Sequence, residues 1–83
     1  MKLVYFAWVR ERIGIESEEV TLPATVSTTH ELIDWLKSRG PGYELALAQP
    51  RTVRVAVDKV HAQGDVSLAG AQEVAIFPPM TGG

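Results

Sequence analysis

Residues 28–41, TTHELIDWLKSRGP, hold the chain's one sustained helical pattern, and its place between alternating apolar stretches decides the fold. Thr28 and Glu31 have the spacing of a capping box. In it the threonine hydroxyl accepts from the amide three residues on, and the glutamate reaches back to the threonine amide. Leu32, Ile33, Trp35 and Leu36 share one helical side, a stripe that reads as core, with Trp35 a packing residue. Gly40 and Pro41 follow in the order that ends a helix. Asp34, Lys37 and Arg39 decorate the exposed side.

Working outward, Lys2–Val9 (KLVYFAWV) is rich in β-branched and aromatic residues and is expected to be a strand. Arg10–Gly14 is expected to form a short helical turn stopped by the glycine, and Glu18–Leu22 a second strand ended by Pro23. Beyond the helix, Tyr43–Gln49 reads as a further turn and Val53–Val57 (VRVAV) as a third strand. A turn at Gly64-Asp65 and a short segment near Leu68 lead to the last strand, Glu73–Phe77 (EVAIF).

This order predicts an α+β fold, a mixed sheet of four to five strands packed on one main helix. The first and last strands, the most apolar, suit the centre, and the intervening crossover makes their pairing parallel. One helix and its neighbouring turns can cover only one face of such a sheet. With Leu3, Tyr5, Val55, Val57, Val74 and Ile76 toward the helix, Val4, Phe6, Ala56, Ala75 and Phe77 lie opposite. An apolar patch left in water is the mark of a partner surface.

At 83 residues there is room for one domain, expected over residues 1–77, with a thin core and little space for a deep pocket. The net charge of -2 leaves no basic stripe for phosphates, so nucleic acid is not expected as a partner. Without cysteine the chain has no disulfide, thiolate nucleophile or cysteine-ligated metal. His30 and His61 lie far apart with no ligand spacing around them, so no metal site is expected. The opening residues alternate like a strand rather than a signal peptide, and no apolar run approaches the roughly 20 residues of a membrane helix. A cytoplasmic protein is expected. Glu16, Glu18 and Glu19 read as a solvated acidic edge, and no catalytic constellation is visible in the chain.

The last six residues, 78–83, are Pro78-Pro79-Met80-Thr81-Gly82-Gly83, expected to be an extended tail. A terminal Gly-Gly arises by chance about once in 200 chains. More telling is an apolar strand running into two prolines, which stiffen the exit and keep the tail from folding back. Glycines without Cβ atoms can enter a narrow channel. The Gly83 carboxylate is sterically open, and once adenylated it can take a sulfur nucleophile and become a thiocarboxylate.

The opening VYFAWVRERIG, the helix with Leu32 and Leu36, the VRVAV strand and the closing EVAIFPPMTGG together resemble the small subunit of molybdopterin synthase. This is the MoaD family, within the ubiquitin-like β-grasp superfamily. The resemblance implies a sulfur carrier that donates sulfur from a Gly83 thiocarboxylate to cyclic pyranopterin monophosphate in molybdenum cofactor biosynthesis. It implies two partners: a MoeB-type, ubiquitin-activating-like adenylyltransferase that uses ATP and magnesium, and a MoaE-type large subunit, in a heterotetramer. The carrier itself would bind no cofactor, and acid–base work would belong to the large subunit. Carried over by position, Phe6, Arg10 and Phe77 would meet the partner, with Pro78, Pro79, Met80 and Thr81 leading Gly82 and Gly83 into its active site.

The chain departs from the family pattern at Ala71-Gln72-Glu73, where Gly-Asp-Glu is usual, at Asp58, where asparagine is common, and at His61, where the family often has an apolar interface residue. Two other readings stay open. One is a carrier for thiamine or transfer-RNA thiolation, or a protein modifier joined through Gly83; the other is a β-grasp interaction module without chemistry at its end.

Overall fold

In a computed structural model that describes residues 1–79, the capping box forms in full. Thr28 Oγ1 accepts from the Glu31 amide at 3.3 Å, and the Glu31 carboxylate accepts from the Thr28 amide at 3.2 Å. The helix begun there, α2 (Thr29–Lys37), buries Thr29, Leu32, Ile33 and Leu36, while Trp35 is half-buried.

Among the described residues the five strands are β1 (Lys2–Tyr5), β2 (Ser17–Glu19), β3 (Arg54–Val57), β4 (Val60–His61) and β5 (Glu73–Phe77). They lie in the order β2-β1-β5-β3-β4, with β1 and β5 parallel and every other pair antiparallel. Leu3, Tyr5, Val74 and Ile76 are inaccessible to solvent beneath the helical layer. The fold is a mixed-sheet β-grasp, and no helix among the described residues is long and apolar enough to cross a membrane.

Several boundaries differ from the sequence reading. The strand expected over Lys2–Val9 ends at Tyr5, and Ala7–Ile13 form a helix, α1. Residues 3–9 are all apolar, so period two and a helical period fit them equally. The turn is made where Phe6, still extended, is followed by Ala7 at φ 51°. The Phe6 carbonyl then accepts from the Val9 and Arg10 amides, and Val9 goes into the core. Gly14 ends the helix as expected, in the left-handed region at φ 97°.

The strand expected over Glu18–Leu22 sits earlier, at Ser17–Glu19; Val20 and Leu22 reach the core from the segment beyond it. Gly40-Pro41 lie just past the end of α2 and also open α3 (Pro41–Leu47), with proline at the first helical position, in place of a turn at Tyr43–Gln49. Strand β3 starts at Arg54 rather than Val53, after a 3-10 turn over Pro50–Thr52. Strand β4 carries no signal in the sequence. Its hairpin turns on Asp58 (φ 48°) and Lys59 (φ 71°), a pair lacking the glycine that usually marks such turns.

Two contacts hold the helical layer. A Cβ on Gly42 would stand 2.7 Å from the Arg12 carbonyl oxygen, so α1 and α3 meet at a distance only glycine permits. The second corrects the reading of Glu18 as solvated and of Arg39 as decoration. The Glu18 carboxylate accepts from Tyr5 Oη and Tyr43 Oη, each at 2.7 Å, and from Arg39 Nη1 at 3.0 Å. Arg39 also lies over the Trp35 and Tyr43 rings, at 5.0 and 5.1 Å. Burial opposes ionisation of Glu18, but the bonds from Tyr5, Tyr43 and Arg39 outweigh it and hold its carboxyl below the ordinary value. Burial, with the Glu18 hydrogen bond, pushes the Tyr5 phenol far above its own.

Gly42→Ala is expected to cost about 1–3 kcal/mol, read from urea unfolding, because the new methyl must push α1 and α3 apart. An unchanged midpoint would show that they are not packed at this distance. Since the Glu18 carboxyl is lower in the folded state, its contribution is present above its unfolded value and is lost as pH falls through the folded one. Glu18→Gln is therefore expected to cost about 1–3 kcal/mol at neutral pH and to flatten the acid limb of a melting-temperature profile. An acid limb as steep as the parent's would assign that limb to other groups.

Candidate functional site

The strand register builds the open face of the sheet row by row. The middle row runs Ser17, Val4, Ala75, Ala56, His61. On the side where β5 ends, Phe77 is paired with Arg54; on the other, Lys2 stands between Glu19 and Glu73. Val4, Ala56, Ala75 and Phe77 are half-buried, in contrast to their inaccessible neighbours Leu3, Val74 and Ile76. The apolar face expected from alternation is therefore present, small and smooth at its centre, charged along one margin.

Phe6 belongs to this face and is 46% exposed. Its amide donates to the Ile76 carbonyl at 3.1 Å, which ties it beside the end of β5 just before the chain turns into α1. Arg10 is exposed on that helix, one turn along, and its amide reaches back to the Phe6 carbonyl. Phe6, Arg10 and Phe77 thus gather around the end of the central parallel strand. Pro78 and Pro79 follow, half-buried, and having no N–H they end the ladder. Met80, Thr81, Gly82 and Gly83 lie outside the described residues.

Arg54 escaped the sequence reading of this face, and His61 entered it only through the family resemblance. Arg54 alternates with Ala56, so its side was already written in VRVAV; its Nη1 donates to the Arg51 and Val53 carbonyls at 3.0 and 3.2 Å. His61 needed β4 to be recognised. Its ring is 6.2 Å from that of Phe77, tilted by 45°, and Gln63 Nε2 lies 3.3 Å from its Nδ1. A one-residue polar tip beside an apolar patch suits a partner surface with a polar rim.

Two of the departures from the family pattern meet in space. The Asp58 carboxylate accepts from the Gln72 and Glu73 amides at 3.0 and 2.9 Å, and the Asp58 amide donates to the Glu73 carbonyl at 2.8 Å. The hairpin turn between β3 and β4 therefore clamps the start of β5.

The ThiS family model matches residues 3–83. The molybdopterin synthase sulfur carrier subunit of Escherichia coli strain K12 is 34% identical over 83 residues, which cover 100% of this chain and 99% of that one. The subunit of the same name from Mycosarcoma maydis is 35% identical over 89 residues, with 100% and 92% covered. Among solved structures, SAMP1 from Haloferax volcanii superposes with a TM-score of 0.71 at 24% identity, over 100% of this chain and 98% of that chain, a likeness of fold.

If the open face is a surface and not a core, truncations on its two sides must differ sharply. Phe6→Ala is expected to change unfolding free energy by less than about 1 kcal/mol. Ile76→Ala, which empties a fully buried site one residue away in the ladder, is expected to cost about 2–5 kcal/mol. Equal losses in denaturant titrations would mean that Phe6 is part of the core.

Proposed function

The chain belongs to the ThiS family, and on that basis we propose that it is the sulfur carrier subunit of a molybdopterin synthase, loaded as a thiocarboxylate on Gly83. The observation that carries this reading is the full-length likeness to carrier subunits of that enzyme, joined to a central strand that runs out through Pro78-Pro79 toward Gly82-Gly83.

The chain has no thiol of its own, and its Gly83 carboxylate is the group to which sulfur can be joined after activation. The Gly83 carboxylate attacks the α-phosphate of ATP on a MoeB-type adenylyltransferase, with magnesium, and pyrophosphate leaves. A sulfur nucleophile then displaces AMP from the acyl carbon and leaves the thiocarboxylate. In a MoaE-type large subunit, the tail 78–83 delivers this sulfur to cyclic pyranopterin monophosphate. The groups that move protons belong to that subunit, and two copies of each chain make the heterotetramer. Adenylation, loading and transfer all fit a carrier that works in the cytoplasm.

The fold's contribution is positioning. Val4, Ala75 and Phe77, with Phe6 and Arg10 beside them, offer an apolar surface next to the tail's root, so docking of the face and entry of the tail are one event. Half-buried Pro78 and Pro79 restrict the backbone at the root, which lowers the entropy lost when the tail is captured.

Incubation with ATP, an activating enzyme and a sulfur source is expected to raise the intact mass by the exchange of one oxygen for one sulfur. No such gain sinks the carrier reading. Deleting Gly83 is expected to abolish loading and leave the melting temperature nearly unchanged, since the last residue of a domain usually contributes little burial. A large fall in melting temperature would make the tail structural.

A further inference from the structure

The helical layer is narrower than the sheet it covers. Under its centre Val74 and Ile76 are inaccessible, but toward the β3–β4 edge Val55 and Val57 are only half-buried. The strip left uncovered is a groove of about 610 Å³, bounded by the first turns of α2, the 3-10 turn at Pro50–Thr52 and the β3–β4 edge. Its size falls within the range of ligand-binding clefts. It opens on the helix side of the sheet, away from Val4 and Ala75.

Its floor is apolar, formed by Ile33, Val53 and Val55. Arg51 stands on its rim, joined at the sheet edge, where the groove meets the open face, by Arg54 and His61; Asp34 lines the opposite wall, with Asp65 beside it bonded to Thr29 and His30. The charges are split across the groove: two guanidinium groups stand on the side of Pro50–Arg54, and Asp34 and Asp65 on the side of α2. Arg54 is held in place by its bonds to the Arg51 and Val53 carbonyls, so little of its freedom remains to be lost on binding.

The outer border adds a third feature. Val57 pairs with Val60, and the Ala62 amide donates to the Val55 carbonyl at 2.8 Å. The alternation of an antiparallel ladder then turns the N–H and C=O of His61 outward, where an extended chain can pair with them.

We propose that this groove binds an extended acidic peptide segment carrying one bulky apolar side chain. The apolar side chain sits on Ile33, Val53 and Val55, the flanking carboxylates meet Arg51 and Arg54, and the peptide backbone pairs with His61. Asp34 disfavours a carboxylate at the α2 wall, which sets the direction in which the charges lie. The site stands whether or not the chain carries sulfur.

The test is a titration of the full chain with a short fluorescent peptide in which one leucine is flanked by glutamates. A twin peptide with lysines in place of the glutamates is the comparison. The glutamate peptide is expected to bind, with affinity that falls as salt is raised. Amide shifts on nitrogen-15-labelled protein are expected to centre on Ile33, Val53 and His61. Arg51→Glu is expected to weaken binding about tenfold at an unchanged melting temperature, and Arg51→Lys to retain most of it. Phe6→Ala, on the opposite face, is expected to bind like the parent. Equal affinity for both peptides, no binding of the glutamate peptide, or a loss confined to Phe6→Ala would each overturn the proposal.

Discussion

A domain of this size has one layer of helix to set against one sheet, and that arithmetic governs the rest of the molecule. Leu3, Tyr5, Val74 and Ile76 take the covered side and form the core with Leu32, Leu36 and Leu47. Their alternating neighbours must then remain at the surface. The open face is therefore a geometric remainder of folding, and it lies beside the end of the parallel pair at the centre of the sheet. On the proposed function, a protein gripping this face would meet the departing chain at once. Covered core and open face are two sides of one alternation.

The helical layer is tied down by polar as well as apolar contacts. Glu18 on β2 gathers Tyr5 from β1, Tyr43 from α3 and Arg39 from the link between α2 and α3. Such a partly buried ionic cluster contributes less net stability than its short distances imply, because every partner loses water. What it supplies is orientation. The carboxylate has enough lone pairs for all three donors, and their arrangement is met in only one placement of α3 against the sheet. Gly42 adds a steric requirement to the same placement.

How much of this was legible depends on whether the signal was local. The capping box at Thr28, the stripe of α2, the bounds of β5 and the assignment of faces were all readable from neighbouring residues. The start of α1 was not, because an unbroken apolar run over residues 3–9 carries no period of its own. β4 was hidden by a turn whose left-handed residues are aspartate and lysine. Glu18 looked like surface because its partners at positions 5, 39 and 43 are distant in sequence, and no local pattern announces them. The open face could be read in outline, yet Arg54 joined it only once the register was known, and only the family resemblance had pointed to His61.

The clamp by Asp58 on the Gln72 and Glu73 amides has a metric consequence. By anchoring the first residue of β5 it decides which residue of that strand is the last to lie beside the sheet. A shift of one position there would lengthen or shorten the segment beyond the strand by about 3.3 Å, and would turn every side chain of the strand over. One carboxylate at the far end of the strand thus acts as the zero mark of a ruler, against which the distance spanned by everything after Phe77 is measured.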